Sequence, residues 1–207
     1  IYDRITGAYQ NEAQFGGLFL KLIFSGMMKP VRGPFLDKDF SENSAWLMEK
    51  LYTRKRIRRI MAKAGIDEGL FQDAPFEDFR AFFLRRYKKD VLPRVGPRDI
   101  ISPSDGKVTV HSISDELKVT VKDRQYTVRE LLAGSDSANF FSGGTLFVVR
   151  LSVHDCHRFI YTEKGAFSGK AFRKIPGRLH TVSAYSNREP VLRENERRYS
   201  ILETAHG

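Results

Sequence analysis

The chain has 207 residues, 41% of them hydrophobic, which suits a globular protein with a sizeable core and excludes an intrinsically disordered chain. Its single cysteine excludes an internal disulfide and a multi-cysteine zinc site, and it suits a reducing compartment. The formal net charge of +10 predicts an anionic partner, which is either a nucleic acid or a membrane surface.

The positive charge is concentrated in the first half of the chain. Residues 1–98 contain 19 Lys and Arg against 12 Asp and Glu, a net charge of +7, whereas residues 99–207 have a net charge of +3. The first half also contains the apolar stretch "FGGLFLKLIFSGMM" at 15–28, which is shorter than the ~20 residues that a membrane-spanning helix needs. Two interpretations stay open: a buried core helix, and an interfacial helix that lies among lipid headgroups.

The stretch "SENSAWLMEKLYTRKRIRRIMAKAG" predicts a helix that begins at Ser41 or Ser44 and ends at Gly65. One face of this helix is apolar. The basic residues at 54–59 suit either an anionic membrane or a solvated surface. The apolar face consists of Ile57, Ile60, Met61 and Ala64.

The next segment, "FEDFRAFFLRRYKKD", interleaves aromatic with basic residues, a composition that RNA-binding proteins also use. Its phenylalanines recur at helical spacing, which is more typical of a core face than of exposed stacking platforms. These residues are Phe76, Phe79, Phe82 and Phe83. No signature of a known nucleic-acid-binding module occurs, and we therefore expect no nucleic-acid partner.

The pattern changes between residues 91 and 106, where three prolines and two glycines occur. We place a domain boundary there, with a helical region at 1–90 and a β-rich domain at 91–207. After the boundary, "KVTVHSI", "LKVTVK" and "TLFVVRLSV" predict short strands, the last of them buried. The predicted fold class is α+β, with an antiparallel sheet.

Two stretches of this second half contain residues suited to catalysis. "SPSDG" at 102–106 is a turn by composition and contains Asp105, and "HDCHR" at 154–158 follows the predicted buried strand. We expect no metal site, because His154 and His157 lack a full set of nearby ligands. A catalytic Cys156–His157 pair is disfavoured because adjacent residues seldom bring a nucleophile and a base together. A structural histidine remains the simpler interpretation for each of the two.

Taken together, these stretches resemble the phosphatidylserine decarboxylase family. "FEDFRAFFLRR" resembles its phenylalanine-rich segment, "SPSDGKV" its Ser-Pro-x-Asp-Gly turn, and "RLSVHDCHRF" its Arg-Leu-x-x-x-Asp-Tyr-His-Arg box. "IPGRLHTVSAYSNREPVLRENERRYSILET" resembles the block that follows. The resemblance runs in the family's order from about Phe76 to Thr204.

The resemblance implies a pyruvoyl-dependent lyase that converts phosphatidylserine to phosphatidylethanolamine at a membrane surface. In this family a proenzyme cuts itself before a serine, and that serine becomes a covalent pyruvoyl group, a form of pyruvate, on a separate α chain. The resemblance assigns His157 as the proton donor and Asp105 to the self-cleavage triad, and it matches Asp155 to the aspartate of the box.

The chain departs from the family pattern in two places. Ile160 occupies the position of a second histidine of the box, and His180 in "LHTV" is our candidate for the replacement base. No Gly-Ser-Ser or Gly-Ser-Thr occurs in the chain, so the serine that forms the pyruvoyl group is expected outside it. We expect both ends to be cut and the last strands of the catalytic domain to be missing.

The partners implied by the resemblance are an anionic phospholipid membrane, phosphatidylserine as substrate and the protein's own pyruvoyl-bearing α chain. The expected location is peripheral, on the cytoplasmic face of a membrane, and a homodimer is left open. Two alternatives without catalytic activity remain, a basic peripheral membrane module and an RNA-binding domain.

Overall fold

The computed structural model describes residues 49–92, 101–121, 124–152, 155–177 and 196–205, positions 96 and 99, and short pieces between residues 2 and 43. These parts contain short helices and antiparallel strands, which confirms the α+β prediction. The α-helices with described bounds are α1 (Arg54–Ala64), α2 (Phe79–Phe83) and α3 (Val128–Leu131), and residues 49–51 are helical as well. Described 3-10 turns occupy Gly26–Met28, Gly33–Leu36, Glu68–Leu70, Lys89–Val91 and Asp136–Phe141.

The described strands, β1 to β10 in chain order, are Tyr2–Asp3, Ala8–Tyr9, Lys107–Ser112, Val119–Val121, Arg124–Tyr126, Thr145–Arg150, Gly165–Phe167, Arg173–Ile175, Arg197–Tyr199 and Leu202–Thr204. They pair two by two, and every pair is antiparallel: β1 with β2, β3 with β6, β4 with β5, β7 with β10 and β8 with β9.

Helix α1 ends where the sequence predicts and begins later. Gly65 has a φ of 66°, and the following amide donates to the Met61 carbonyl at 2.9 Å, so a left-handed glycine closes the helix. Residues 49–51 are also helical, but Tyr52 and Thr53 are not, so the single continuous helix predicted from Ser41 or Ser44 to Gly65 is interrupted before α1. Thr53 is extended at the N-cap, and the Tyr52 ring turns into the core.

The core of the helical part is aromatic. Phe82 and Phe76 are 0% and 2% exposed, which confirms the prediction that the phenylalanine-rich segment faces a core. Edge-to-face packing with centroids 5.8 Å apart joins these two rings. The rest of the buried cluster consists of Tyr52, Ile57, Met61 and Phe71.

Strand β6 is less buried than its composition predicts. It pairs with β3 over six residues, from Lys107–Arg150 to Ser112–Thr145. Phe147 on β6 is 51% exposed and Val110 on β3 is 56% exposed, so the prediction of a buried strand is wrong in the described structure. Because the described parts of these strands pair only with each other, the apolar side chains on one face stay open.

The end of α2 is bonded to the chain that follows β6. The His157 amide donates to the Phe83 carbonyl at 3.2 Å, and Arg158 Nε donates to the Leu84 carbonyl at 2.6 Å. In the described residues no helix has the length and apolar character to cross a bilayer. Most of 15–28 lies outside the described residues, so its two interpretations stay predictions.

Candidate active site

Asp105 lies in a turn that is held from two sides. Within the turn, Ser102 Oγ donates to the Ser104 carbonyl at 2.7 Å. Across it, the Ile160 amide donates to the Pro103 carbonyl at 2.7 Å. The turn is therefore tied to the chain that follows the "HDCHR" segment, as a rigid loop of a catalytic site should be.

Gly106 is required by its backbone. Its φ is 135°, a conformation that residues with a side chain rarely adopt. A Cβ atom there would also lie 2.7 Å from the Arg150 carbonyl oxygen at the end of β6. The glycine thus lets the Asp105 turn approach β6 closely.

Two donors converge on one oxygen of Asp105. The Tyr87 hydroxyl donates to Oδ2 at 2.8 Å, and the Cys156 amide donates to the same Oδ2 at 3.1 Å. Burial and the adjacent carboxylate raise the pKa of Tyr87 to about 12, so the phenol stays protonated and remains a donor. The carboxylate is therefore anchored directly beside the "HDCHR" segment.

Asp155 closes the turn that leads to this segment. Its carboxylate accepts a short hydrogen bond from the Ser152 amide, and its own amide donates to the Ser152 carbonyl at 3.0 Å. The two bonds form a reciprocal pair between residues three apart, in which a short acidic side chain bonds to the main chain that precedes it. In this geometry Asp155 shapes the backbone, and its side chain is engaged with that backbone.

Cys156 is buried and its thiol is a donor. Its Sγ donates to the Arg85 carbonyl at 3.0 Å, and the residue is 5% exposed. Burial raises the pKa of the thiol, so the reactive thiolate is disfavoured at neutral pH. Cys156 thus acts as a structural residue through its amide and thiol.

His157 lies with one ring face against Phe83. The two rings stack with centroids 3.6 Å apart and an angle of 25°. The His157 Nδ1 atom is 3.0 Å from the Asp155 carbonyl oxygen. Since a carbonyl oxygen only accepts, Nδ1 carries the hydrogen of this bond, and the lone pair of the neutral ring is on Nε2. Burial lowers the pKa of His157, which favours this neutral form.

Beneath these groups lies a buried cation. Arg85 is 1% exposed, and its guanidinium lies over the rings of Phe82 and Phe71, 4.7 Å and 5.0 Å from their centroids. It also donates to the Phe82 carbonyl at 2.9 Å. Burial lowers the pKa of this guanidinium, and the neighbouring groups Cys156, Tyr87, Asp105 and Asp155 oppose that shift.

A half-open cavity lies beside the chain that follows His157. Its volume is about 400 Å³. Two phenylalanines and an arginine contribute to its lining, and such a mixture of apolar and cationic groups suits an amphiphilic anion. The lining residues are Phe159, Phe172, Arg198, Tyr199 and Ser200.

The structure thus brings three of the predicted site residues together. Asp105 is bonded to the amide of Cys156, whose two neighbours in sequence are Asp155 and His157. His180, like His154, lies outside the described residues, so its predicted contact with Asp105 stays a prediction. Among the described residues, no group of three or more His, Cys, Asp or Glu side chains could hold a metal ion.

Three residues of the site were missed from the sequence: Arg85, Tyr87 and Phe83 as the partner of His157. Arg85 could have been found, because it follows Phe82 by three residues and so continues the apolar spacing of the phenylalanine-rich segment. For Tyr87 no sequence signal exists, since its partner Asp105 is 18 residues away. The stack of Phe83 on His157 also depends on a tertiary contact.

Chemically, the arrangement offers a fixed carboxylate next to a neutral imidazole. The carboxylate can orient a base, and the imidazole can take up and release a proton at Nε2. Both groups lie at a partly buried position, where electrostatic interactions are stronger than in water.

Several known proteins of one family are similar in sequence to this chain. The sequence profile of the phosphatidylserine decarboxylase family matches residues 79–207. The chain is 33% identical to phosphatidylserine decarboxylase proenzyme 2 of Clostridium acetobutylicum, over 80% of this chain and 57% of the relative. It is 30% identical to the phosphatidylserine decarboxylase proenzyme of Clostridium perfringens, over 98% of this chain and 71% of the relative. A similar protein from Clostridium novyi is 29% identical, with 100% and 72% covered.

Proposed function

Because the chain belongs to the phosphatidylserine decarboxylase family, we propose that its protein is a lyase that removes carbon dioxide from phosphatidylserine to give phosphatidylethanolamine. The observation that carries this proposal is the hydrogen bond from the Cys156 amide to Asp105, which puts the carboxylate beside His157. The cavity after His157 supports a phospholipid as substrate, because aromatic walls suit its apolar part and an arginine suits its phosphate.

A covalent pyruvoyl group would supply a ketone that accepts electrons as carbon dioxide leaves. The residues present fit such a group, since a neutral, partly buried imidazole lies next to an anchored carboxylate. No Gly-Ser-Ser or Gly-Ser-Thr occurs among the 207 residues, and the curated relatives are named proenzymes. In this proposal the serine that forms the group lies outside these residues, and cleavage makes it the start of a partner α chain.

His157 is the proton donor in this proposal. Its Nδ1–H is bound to the Asp155 carbonyl, and Nε2 is the position that exchanges a proton. The neutral ring can take a proton from the substrate's ammonium group at Nε2 and give it to the carbon from which carbon dioxide leaves. Asp155 acts as a positioning residue, because the turn that it closes places this carbonyl.

Asp105 is the carboxylate of the self-cleavage triad in this proposal, and His180 is the base that takes the serine proton. A carboxylate bonded to a histidine fixes its tautomer and stabilises the imidazolium that forms. Ile160 cannot accept a proton, and its amide instead holds the Asp105 turn through Pro103. The turn and its anchors therefore support a role in orienting a base.

The protein works at the surface of an anionic membrane in this proposal, on its cytoplasmic face. Support comes from the net charge of +7 on residues 1–98 and from the exposed basic residues of α1. Arg58 and Arg59 are exposed on α1, where they can face lipid headgroups.

The test compares self-cleavage and carbon dioxide release in the complete proenzyme. The wild type should separate into two chains on a gel and release labelled carbon dioxide from carboxyl-labelled phosphatidylserine. Asp105→Ala and His180→Ala should both stay uncleaved, whereas His111→Ala on β3 should cleave as the wild type does.

A wild-type proenzyme that releases no carbon dioxide would refute the proposed activity. Normal cleavage by His180→Ala would refute the assignment of the base and return attention to His157.

A further inference from the structure

Contacts of its main chain and ring fix the position of Tyr87, in addition to the hydrogen bond of its hydroxyl. It forms an antiparallel bridge with Phe71, and its carbonyl accepts a hydrogen bond from Gln72 Nε2 at 2.7 Å. Its ring also lies against the Phe71 ring, with centroids 4.7 Å apart. The direction of the hydroxyl is thus fixed by the helical core.

The hydroxyl reaches Asp105, which lies on the far side of the boundary between the helical and β-rich parts. In the described residues both hydrogen bonds to Asp105 end on Oδ2, from the Tyr87 hydroxyl at 2.8 Å and from the Cys156 amide at 3.1 Å. Two donors on one oxygen fix the rotation of the carboxylate about its Cβ–Cγ bond. Oδ1 is then the oxygen that a histidine can approach.

The same short stretch of chain, residues 83–87, holds both donors in place. Cys156 is tied to the chain after α2 through its thiol, which donates to the Arg85 carbonyl at 3.0 Å. The next amide, that of His157, donates to the Phe83 carbonyl at 3.2 Å. Residues 83–87 therefore set the position of both groups that hold Oδ2.

We propose that Tyr87 is a positioning residue for self-cleavage, whose hydroxyl, together with the Cys156 amide, holds Oδ2 of Asp105 so that Oδ1 faces the histidine that takes the serine proton. This inference rests on the proposed function, since it assigns Tyr87 to the same self-cleaving site. Tyr87 acts through Asp105 and touches no reacting atom.

The expected size of the effect follows from the kind of bond. A hydrogen bond to a charged group is stronger than one between neutral groups, and its loss lets the carboxylate rotate away from its productive direction. One of two anchors remains in Tyr87→Phe, so we expect self-cleavage to slow by about 10-fold to 100-fold, less than for loss of the carboxylate itself.

The experiment measures self-cleavage of the complete proenzyme over time on gels, for the wild type, Tyr87→Phe and Tyr161→Phe. Tyr87→Phe keeps the ring that packs on Phe71, so its melting temperature should stay close to that of the wild type. Tyr161→Phe is the matched control. It removes the hydroxyl of a tyrosine that follows the "HDCHR" segment in sequence, and this variant should cleave at the wild-type rate.

A second readout tests the bond without any activity. In protein labelled with 13C at tyrosine Cζ, the Tyr87 signal should show little ionisation at pH 10, where an ordinary tyrosine is about half ionised, because its pKa is raised to about 12. In Asp105→Asn the negative partner is gone, so the same signal should begin to shift at a lower pH. A role in packing alone would not produce this difference.

The possible outcomes distinguish a failure of the role proposed for Tyr87 from a failure of the proposed function. Self-cleavage of Tyr87→Phe at the wild-type rate, or a Tyr87 titration that is unchanged by Asp105→Asn, would overturn the inference while the proposed function stands. A wild-type proenzyme that never cleaves would refute the proposed function, and the inference with it.

Discussion

His157 combines a protonated Nδ1 with a free lone pair on Nε2, in a position where burial disfavours the imidazolium. If it is the proton donor, His157→Ala in the complete proenzyme should still cut itself but lose about 10²- to 10⁴-fold in turnover. Gel mobility reports the first step and carbon dioxide release the second. A variant that stays uncut would mean that His157 is needed for maturation.

The lowered pKa of His157 also predicts how stability depends on pH. In the unfolded chain an ordinary histidine binds its proton near pH 6.5, whereas the folded protein binds it only at lower pH. The unfolded state therefore gains protons first as the pH falls, and stability declines below about pH 6.5.

His157→Gln removes this group and should make the decline between pH 7 and pH 5 shallower. Urea unfolding at a series of pH values measures the decline, and a titration of the His157 ring by NMR checks its cause. Equal pH slopes for the variant and the wild type would contradict the prediction.

At the scale of single elements, α1 contributes stability through one face only. Ile57 is 1% exposed in the core cluster, whereas Arg58 beside it points to solvent. Truncation of a buried isoleucine removes apolar contact and leaves a cavity, so Ile57→Ala should cost about 2–5 kcal/mol of unfolding free energy. Arg58→Ala, the control at an exposed position of the same helix, should change it by less than about 0.5 kcal/mol. Equal losses in denaturant unfolding would show that α1 is not packed as described.

The helices and strands also show which structural features can be predicted from the sequence. The end of α1 at Gly65 and the burial of Phe76 and Phe82 followed from local pattern, because helix ends and helix faces depend on residues a few positions apart. The late start of α1 did not, since it depends on where the Tyr52 ring packs. The exposure of β6 did not either, because burial of a strand depends on its partners and covering layer.

The candidate site divides in the same way. Asp105 and His157 were found because each lies in a stretch that resembles a family pattern, whereas Tyr87 was missed because its role depends on a contact with Asp105 across the fold. The predicted contact of Asp105 with His180 lies outside the described residues and stays a prediction.

At the scale of the whole chain, the 207 residues have a net charge of +10, most of it in the first half. We expect the full-length protein to float with vesicles that contain anionic lipid, and salt to weaken this binding, because each basic residue near such a surface contributes about 1 kcal/mol. Changing Lys55, Arg58 and Arg59 to glutamine should reduce flotation further than the same number of changes among basic residues of the β-rich part. Equal binding to neutral and anionic vesicles, insensitive to salt, would contradict the electrostatic explanation.

The site is assembled from residues that are far apart along the chain. The amide that holds Asp105 lies 51 positions after it, and the Cys156 thiol reaches a carbonyl 71 positions before it. Contacts of such long sequence separation form late, after the chain has collapsed and its local elements exist. If Asp105 acts in self-cleavage as proposed, scission waits for these contacts and becomes a checkpoint: a chain that is unfinished or misfolded keeps its peptide bond and never acquires a reactive ketone. The cell would thus obtain a working catalyst only from copies that have already folded.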